Sequence, residues 1–146
     1  MQNGIIKIKA TKDYDDDCTF EAVVNTADIK ATASFWGYTD TLEEFGTALA
    51  NFPATAQQRV RFQSGEDVEA SYPYFLLEAY CVSPLGHTAL QVIIDNKEPH
   101  PRKKRVEFSI LAEAAALNKF GKRLLSLQAG LASEQEYSIE WEARTS

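Results

Sequence analysis

Apolar and polar residues alternate along most of this chain, which predicts β-strands. Successive side chains of a strand point to opposite faces, so alternation gives each strand one apolar face. The predicted strands are 4–10, 18–25, 29–36, 59–63, 72–82, 88–95, 105–111 and 137–142, of which 72–82 and 88–95 are more continuously apolar. Most connections between them are too short for a helical crossover, so we expect the strands to pair antiparallel.

A helix is predicted at 41–52, directly after the third strand. Thr41 and Glu44 have the spacing of a capping box, in which each side chain bonds to the backbone N–H of the other residue. Pro53 ends the helix because the residue before a proline is pushed out of helical geometry. The apolar stripe of this helix consists of Leu42, Phe45, Leu49 and Phe52.

A second helix is predicted at 112–129, and it repeats the pattern of the first. The motif L-x-x-F-G-x-x-L-x-x-(F/L) begins at Leu42 and recurs at Leu117, and the strands before the two helices align at the same offset. Agreement across strand, connection and helix indicates two similar strands-then-helix halves. The predicted units are 1–55, 56–130 and a C-terminal strand at 136–143.

Gly46 and Gly121 occupy matching positions inside the two helices. Glycine in a helix interior costs about 1 kcal/mol relative to alanine, so both positions need a structural reason. Close approach of each helix to the sheet or to the other helix supplies one. Gly130 is predicted to cap the second helix. We therefore expect a single α+β domain over 1–146, with antiparallel β-sheet and two helices on one face.

Composition fits one domain with a real core, since 45 % of the 146 residues are hydrophobic. No run of ~18 apolar residues indicates a membrane span, and the N-terminus lacks the pattern of a signal peptide. Cys18 and Cys81 lie in apolar runs without ligands at metal-binding spacing, so we expect free, core-packed thiols. These features favour a cytoplasmic protein.

The net charge of −6, with a pI near 4.9, favours a basic partner over nucleic acid. The basic cluster 101–105 is placed at a strand connection, from which it could touch phosphate. No aromatic residues are interleaved with it, so a solvated loop is favoured and nucleic-acid binding is not expected.

No phosphate-binding loop, nucleophile elbow or metal-ligand motif occurs in the chain, so the sequence predicts no cofactor and no metal. Glu78 is the one carboxylate in a strongly apolar strand, where burial would raise its pKa. A small enzyme that uses Glu78 with His87 or His100 is one interpretation. The other is that Glu78 lies on the more solvated face of the sheet.

The acidic turn 13–17 is a second charged feature. Its aspartates occupy the first ligand positions of a calcium loop, but Cys18 and Val24 replace the loop's glycine and glutamate. A solvated turn is therefore favoured over a cation site. We expect Asp15 and Asp16 to contact a basic partner.

Aromatic residues near the strand ends exceed what one sheet face needs. If they point outward, such residues mark a contact with another protein. The candidates are Trp36, Tyr38, Tyr137 and Trp141. Self-association is the alternative, because an edge strand at 137–141 would form a symmetric dimer with the same residues.

Two strand-to-helix segments resemble small bacterial immunity proteins of the WapI-like kind. The segments are Phe35-Trp36-Gly37 followed by Leu42-x-x-Phe45, and Glu107-Phe-Ser-Ile110 leading into Leu117-x-x-Phe120. The resemblance covers most of the chain as a pattern. It implies a protein that neutralises a toxin domain by binding it, and it supplies no catalytic residues.

Overall fold

The computed structural model describes residues 2–15, 17–69 and 72–145. It confirms the α+β class, with antiparallel strands and two helices. In chain order the elements are β1 (Gln2–Lys12), β2 (Asp17–Asn25), β3 (Lys30–Tyr38), α1 (Glu43–Ala50), β4 (Arg59–Ser64), β5 (Tyr74–Cys81), β6 (Thr88–Asp95), β7 (Arg105–Ala112), α2 (Ala114–Leu131) and β8 (Glu136–Arg144). Neither helix of the described residues is long and apolar enough to cross a membrane.

The strands divide into two four-stranded sheets, which we call sheet A and sheet B. Sheet A has the order β3-β2-β1-β8, and sheet B has the order β4-β5-β6-β7. α1 follows the antiparallel meander β1-β2-β3, and α2 follows the meander β5-β6-β7. β8 then returns to pair with β1, with Ile139 opposite Ile8. Each sheet therefore has two edge strands, and β3 is one of them.

The core lies where the inner faces of the sheets meet the two helices. Phe45 of α1 and Phe120 of α2 meet edge to face, with ring centroids 6.5 Å apart. Phe35 of β3 stacks on Phe75 of β5 at 5.5 Å and thereby joins the two sheets. The predicted helix stripes are buried, as shown by Leu42, Phe45, Leu49, Leu117, Phe120 and Leu124.

The two helices cross at their matching glycines. A Cβ atom at Gly121 would lie 2.5 Å from the carbonyl oxygen of Gly46, and one at Gly46 would lie 3.0 Å from the carbonyl oxygen of Gly121. Side chains at this crossing would push the backbones apart. The close approach of each helix to the other is confirmed as the reason for glycine here.

Two predictions about helix ends are wrong. Thr41 makes no capping box, because its Oγ1 accepts the backbone N–H of Tyr38 at 2.6 Å and α1 begins at Glu43. Gly130 is not a cap, because α2 continues to Leu131. Gly130 is instead required for packing, since the ring of Tyr137 occupies the space that a Cβ atom would take.

Candidate protein-binding surface

The free edge of β3 carries backbone groups without partners. In the β2–β3 hairpin the N–H of Thr26 donates to the carbonyl oxygen of Ile29 at 2.8 Å. The backbone N–H and C=O groups of the odd-numbered residues of β3 therefore bond to β2. The N–H and C=O groups of Thr32, Ser34 and Trp36 therefore point away from the sheet. Within the described residues, no backbone or side-chain group pairs with them.

The turn after β3 closes this edge at one end. Thr41 Oγ1 accepts the N–H of Tyr38 at 2.6 Å, and the N–H of Thr41 donates to the carbonyl oxygen of Tyr38 at 3.1 Å. Gly37 makes room for the turn, because a Cβ atom there would overlap the Thr41 hydroxyl. The unpaired stretch thus runs from Lys30 to Trp36.

Large aromatic side chains border the unpaired stretch. Trp36 is 58 % exposed and Tyr38 is 48 % exposed, and their rings pack edge to face at 5.1 Å on the outer face of sheet A. Tyr72, in the β4–β5 connection, is 86 % exposed. Neighbouring exposed aromatic residues are uncommon on monomeric proteins and mark contact surfaces.

A groove of about 500 Å³ separates β3 from the β4–β5 connection. Its lining, which we call the β3 groove, consists of Thr19, Ser34, Phe35, Trp36, Ser64, Gly65, Tyr72 and Pro73. Gly65 has a positive φ of 81°, and a Cβ atom there would lie 2.5 Å from the carbonyl oxygen of Pro73. This tight turn holds the connection opposite β3. The volume lies within the usual range for binding pockets.

Acidic residues flank the groove on the β2 side. Thr19 Oγ1 donates to Asp13 Oδ2 at 2.9 Å, which ties the acidic turn to the groove wall. Glu21 lies opposite Ser34, and Asp17 lies opposite Tyr38. Asp15 is in the same turn, with a positive φ of 55°. Asp16, predicted to act with Asp15, lies outside the described residues.

Trp141 and Tyr137 are not part of this surface. Trp141 is only 2 % exposed, its Nε1–H donates to the carbonyl oxygen of Ala116 at 2.7 Å, and its ring stacks on Phe120. Tyr137 is half-buried against Gly130. The apolar residues that alternate along β8 form the face that packs on the core. The expectation that Trp141 is an exposed anchor is therefore wrong.

Glu78 is a structural ion-pair residue. Its carboxylate is buried and accepts hydrogen bonds from Arg59 Nη1 at 2.9 Å and from Arg61 Nε at 2.6 Å. Burial alone would raise the pKa of Glu78, but the hydrogen bonds from Arg61 and Arg59 outweigh it and hold that pKa below its ordinary value. The predicted rise in pKa is therefore wrong, because the cross-strand arginines cannot be seen in the β5 pattern alone.

The two histidines do not converge with Glu78. His87 lies in the turn before β6 and His100 lies in the connection after it, at opposite ends of a strand of 8 residues. At ~3.3 Å per residue, that strand is roughly 26 Å long. The cavity beside each histidine has a lining that does not include Glu78. The arrangement that the enzyme interpretation requires is not assembled in the described residues.

Two residues of the basic cluster, Lys103 and Arg105, are engaged within the protein, whereas Arg102 and Lys104 are exposed. Asp95, which is 1 % exposed, accepts hydrogen bonds from Lys103 Nζ at 3.1 Å and from Arg105 Nη1 at 2.9 Å. Asp67 accepts from Arg105 Nη1 at 2.9 Å and from Lys97 Nζ at 2.6 Å. These bonds lower the pKa of Asp67 to about 2. The cluster therefore stabilises the β6–β7 connection.

Tyr72 was missed by the sequence prediction, which assigned it to a strand over 72–82. β5 begins at Tyr74, and Tyr72 projects from the connection before it. Pro73 was the available signal, because proline has no backbone N–H to donate within a sheet.

No protein-family model and no curated protein sequence matches this chain. Among solved structures, the chain is similar to the one described as "Structure of the plant transcriptional regulator PBF-2". The TM-score is 0.50 at 6 % sequence identity, over 91 % of this chain and 82 % of that chain. At that identity the likeness concerns the fold alone.

Proposed function

We propose that this chain is a protein-binding module and that its partner docks at the β3 groove. The observation that carries the proposal is the coincidence of three features on one edge. An unpaired strand, a mainly apolar groove and the exposed aromatic residues Trp36, Tyr38 and Tyr72 lie side by side. Aromatic residues in a partly enclosed site are the usual anchors of protein interfaces.

The charge of the surroundings favours a basic partner. Asp13, Asp17 and Glu21 flank the groove, none of the described residues that line it is a lysine or arginine, and the whole chain carries a net charge of −6. Opposite charges steer association and exclude like-charged competitors. Neutralisation of a basic toxin domain in the cytoplasm, as the WapI-like resemblance implies, is the most specific form of the proposal.

Affinity capture from a lysate of the native organism tests the proposal with paired variants. The parent chain and Leu85→Ala, a control at an exposed apolar residue outside the groove, should retain the same protein. Trp36→Ala and Tyr72→Ala should each weaken its binding by roughly tenfold or more, since anchor truncations cost ~2 kcal/mol or more. Equal retention by all four chains would contradict the location of the site.

Immunity is tested with the captured protein itself. Expressed alone it should stop cell growth, and co-expression of the parent chain should restore growth while Trp36→Ala should not. A captured protein without toxicity would contradict the immunity form and leave protein binding intact. Self-association is the competing outcome, and light scattering that shows a dimer lost on Trp36→Ala would assign the groove to a second copy of this chain.

A further inference from the structure

We propose that the partner supplies an extended segment that pairs with the free edge of β3 as an added strand of sheet A. The inference rests on the proposed function and specifies how the β3 groove is occupied. The segment would bond to the outward N–H and C=O groups of Thr32, Ser34 and Trp36. A stretch of about five residues is long enough to reach all three.

Two other sheet edges have part of their outward backbone groups bonded within the same chain. On β8, Arg123 Nη1 donates to the carbonyl oxygen of Glu140 at 2.7 Å. The N–H of Glu113 donates to the carbonyl oxygen of Arg144 at 2.8 Å. On β7, Asn3 Nδ2 donates to the carbonyl oxygen of Leu111 at 2.7 Å. Such contacts occupy some of the groups that an added strand would need. Both edges also carry charged side chains, which oppose strand addition: Glu136, Glu140, Glu142 and Arg144 on β8, and Arg105 and Glu107 on β7.

The remaining edge, β4, is protected by charge. Arg59 and Arg61 project from it with more than half of each side chain exposed. Charged side chains on an edge strand oppose the approach of another strand, and here they would repel a basic segment in particular. Lys30, at the first position of β3, is the one charged residue of that strand. Among the described edges, β3 is therefore the one suited to strand addition.

The groove explains which side chains the segment would carry. An added strand lies ~4.8 Å from its neighbour, and its side chains alternate between two directions. One set would contact Trp36 and Tyr72, which border the space, and suits a large apolar or aromatic residue. Lysine or arginine in the same set would complement Glu21 and Asp17, which lie on the next strand and on the same face of sheet A as Trp36. Main-chain bonds give affinity in this mode, and the alternate side chains give specificity.

Synthetic peptides test the backbone pairing directly. The probe is an acetylated, amidated heptapeptide of sequence TKTFTKT, whose lysine and phenylalanine side chains share one face, with two versions N-methylated at alternate residues in opposite phase. Only every second N–H of an added strand faces its neighbour. One phase should therefore weaken binding by roughly tenfold or more, while the other phase should bind like the parent peptide. Equal binding of both versions, or no binding of the parent peptide at millimolar concentration, would overturn the inference.

A second test changes the chain and uses the captured partner. Ser34→Pro removes one outward N–H without touching the bonds to β2, and Ser34→Ala keeps that N–H as the matched control. The inference predicts weaker partner binding for Ser34→Pro alone, at an unchanged melting temperature. Loss of the partner with Trp36→Ala but not with Ser34→Pro would overturn strand addition and leave the proposed function intact. Retention with Trp36→Ala would overturn both.

Single-stranded nucleic acid is the other macromolecule that stacks on exposed aromatic rings. Oligodeoxythymidine should fail to compete with the heptapeptide, because the acidic flank of the groove repels phosphate. Competition that is lost on Trp36→Ala would overturn the peptide assignment.

Discussion

At the scale of single residues, the aromatic side chains separate into core and surface in a way that alternation alone does not reveal. Trp141 lies between two glutamates and Trp36 lies between Phe35 and Gly37, yet Trp141 is only 2 % exposed and Trp36 is 58 % exposed. Alternation assigns residues to two faces without saying which face is covered. Which face of β8 is covered depends on α2, because the carbonyl oxygen of Ala116 in α2 accepts the indole N–H of Trp141.

The buried phenylalanines at the helix crossing should dominate stability. Phe120→Ala removes a ring that is fully buried between Phe45 and Trp141, and should lower the free energy of unfolding by ~3 to 5 kcal/mol. Tyr14→Ala, at a residue 85 % exposed, is the control and should change it by less than about 0.5 kcal/mol. Urea denaturation of the two variants measures both values, and similar midpoints would show that Phe120 is not part of the core.

Acid sensitivity follows from the paired carboxylates. Bonds from basic groups hold the pKa values of Asp95, Asp67 and Glu78 below their ordinary values. Their contribution to stability is therefore complete above the ordinary values, near pH 4, and is lost as the pH falls through the folded values, which for Asp67 is about 2. The melting temperature should stay level from pH 7 to about pH 5 and fall between about pH 4 and pH 2.

Asp95→Asn tests the origin of that fall. Asp95 also accepts the backbone N–H of Lys97, and its ion-pair partners Lys103 and Arg105 are 31 % and 29 % exposed. The loss should therefore be roughly 1 to 3 kcal/mol, below that of a fully buried pair. The variant should melt lower at pH 7 and should lose less between pH 4 and pH 2 than the parent. A parallel decline of both proteins would assign the acid sensitivity to other groups.

At the scale of elements, the helix pair was the most predictable feature, because the repeated F-G pair marks a crossing point on both helices. Gly121→Ala should destabilise the protein even though alanine favours helix by about 1 kcal/mol, since its Cβ atom would lie 2.5 Å from the carbonyl oxygen of Gly46. Lys122→Ala, at the next and exposed position, should be neutral or slightly stabilising. Thermal melting of the two variants measures the difference, and a more stable Gly121→Ala would contradict the tight crossing.

At the scale of the whole molecule, strand existence could be predicted but strand partnership could not. The pairing of β8 with β1 joins the two ends of the described chain, and alternation carries no information about such distant register. For the same reason, the sequence pattern could not predict the candidate site. Tyr72 and Trp36 come together only because the β4–β5 connection of sheet B lies opposite the β3 edge of sheet A.

Amide hydrogen exchange of this chain, free and in complex with its captured partner, tests the central claim most directly. The N–H groups of Thr32, Ser34 and Trp36 point to solvent in the free protein and should exchange quickly. Binding of the partner at the β3 groove should slow the exchange of these three amides and of the amides around Tyr72. Unchanged exchange in β3, with protection instead along β8 or on the outer face of sheet B, would contradict it.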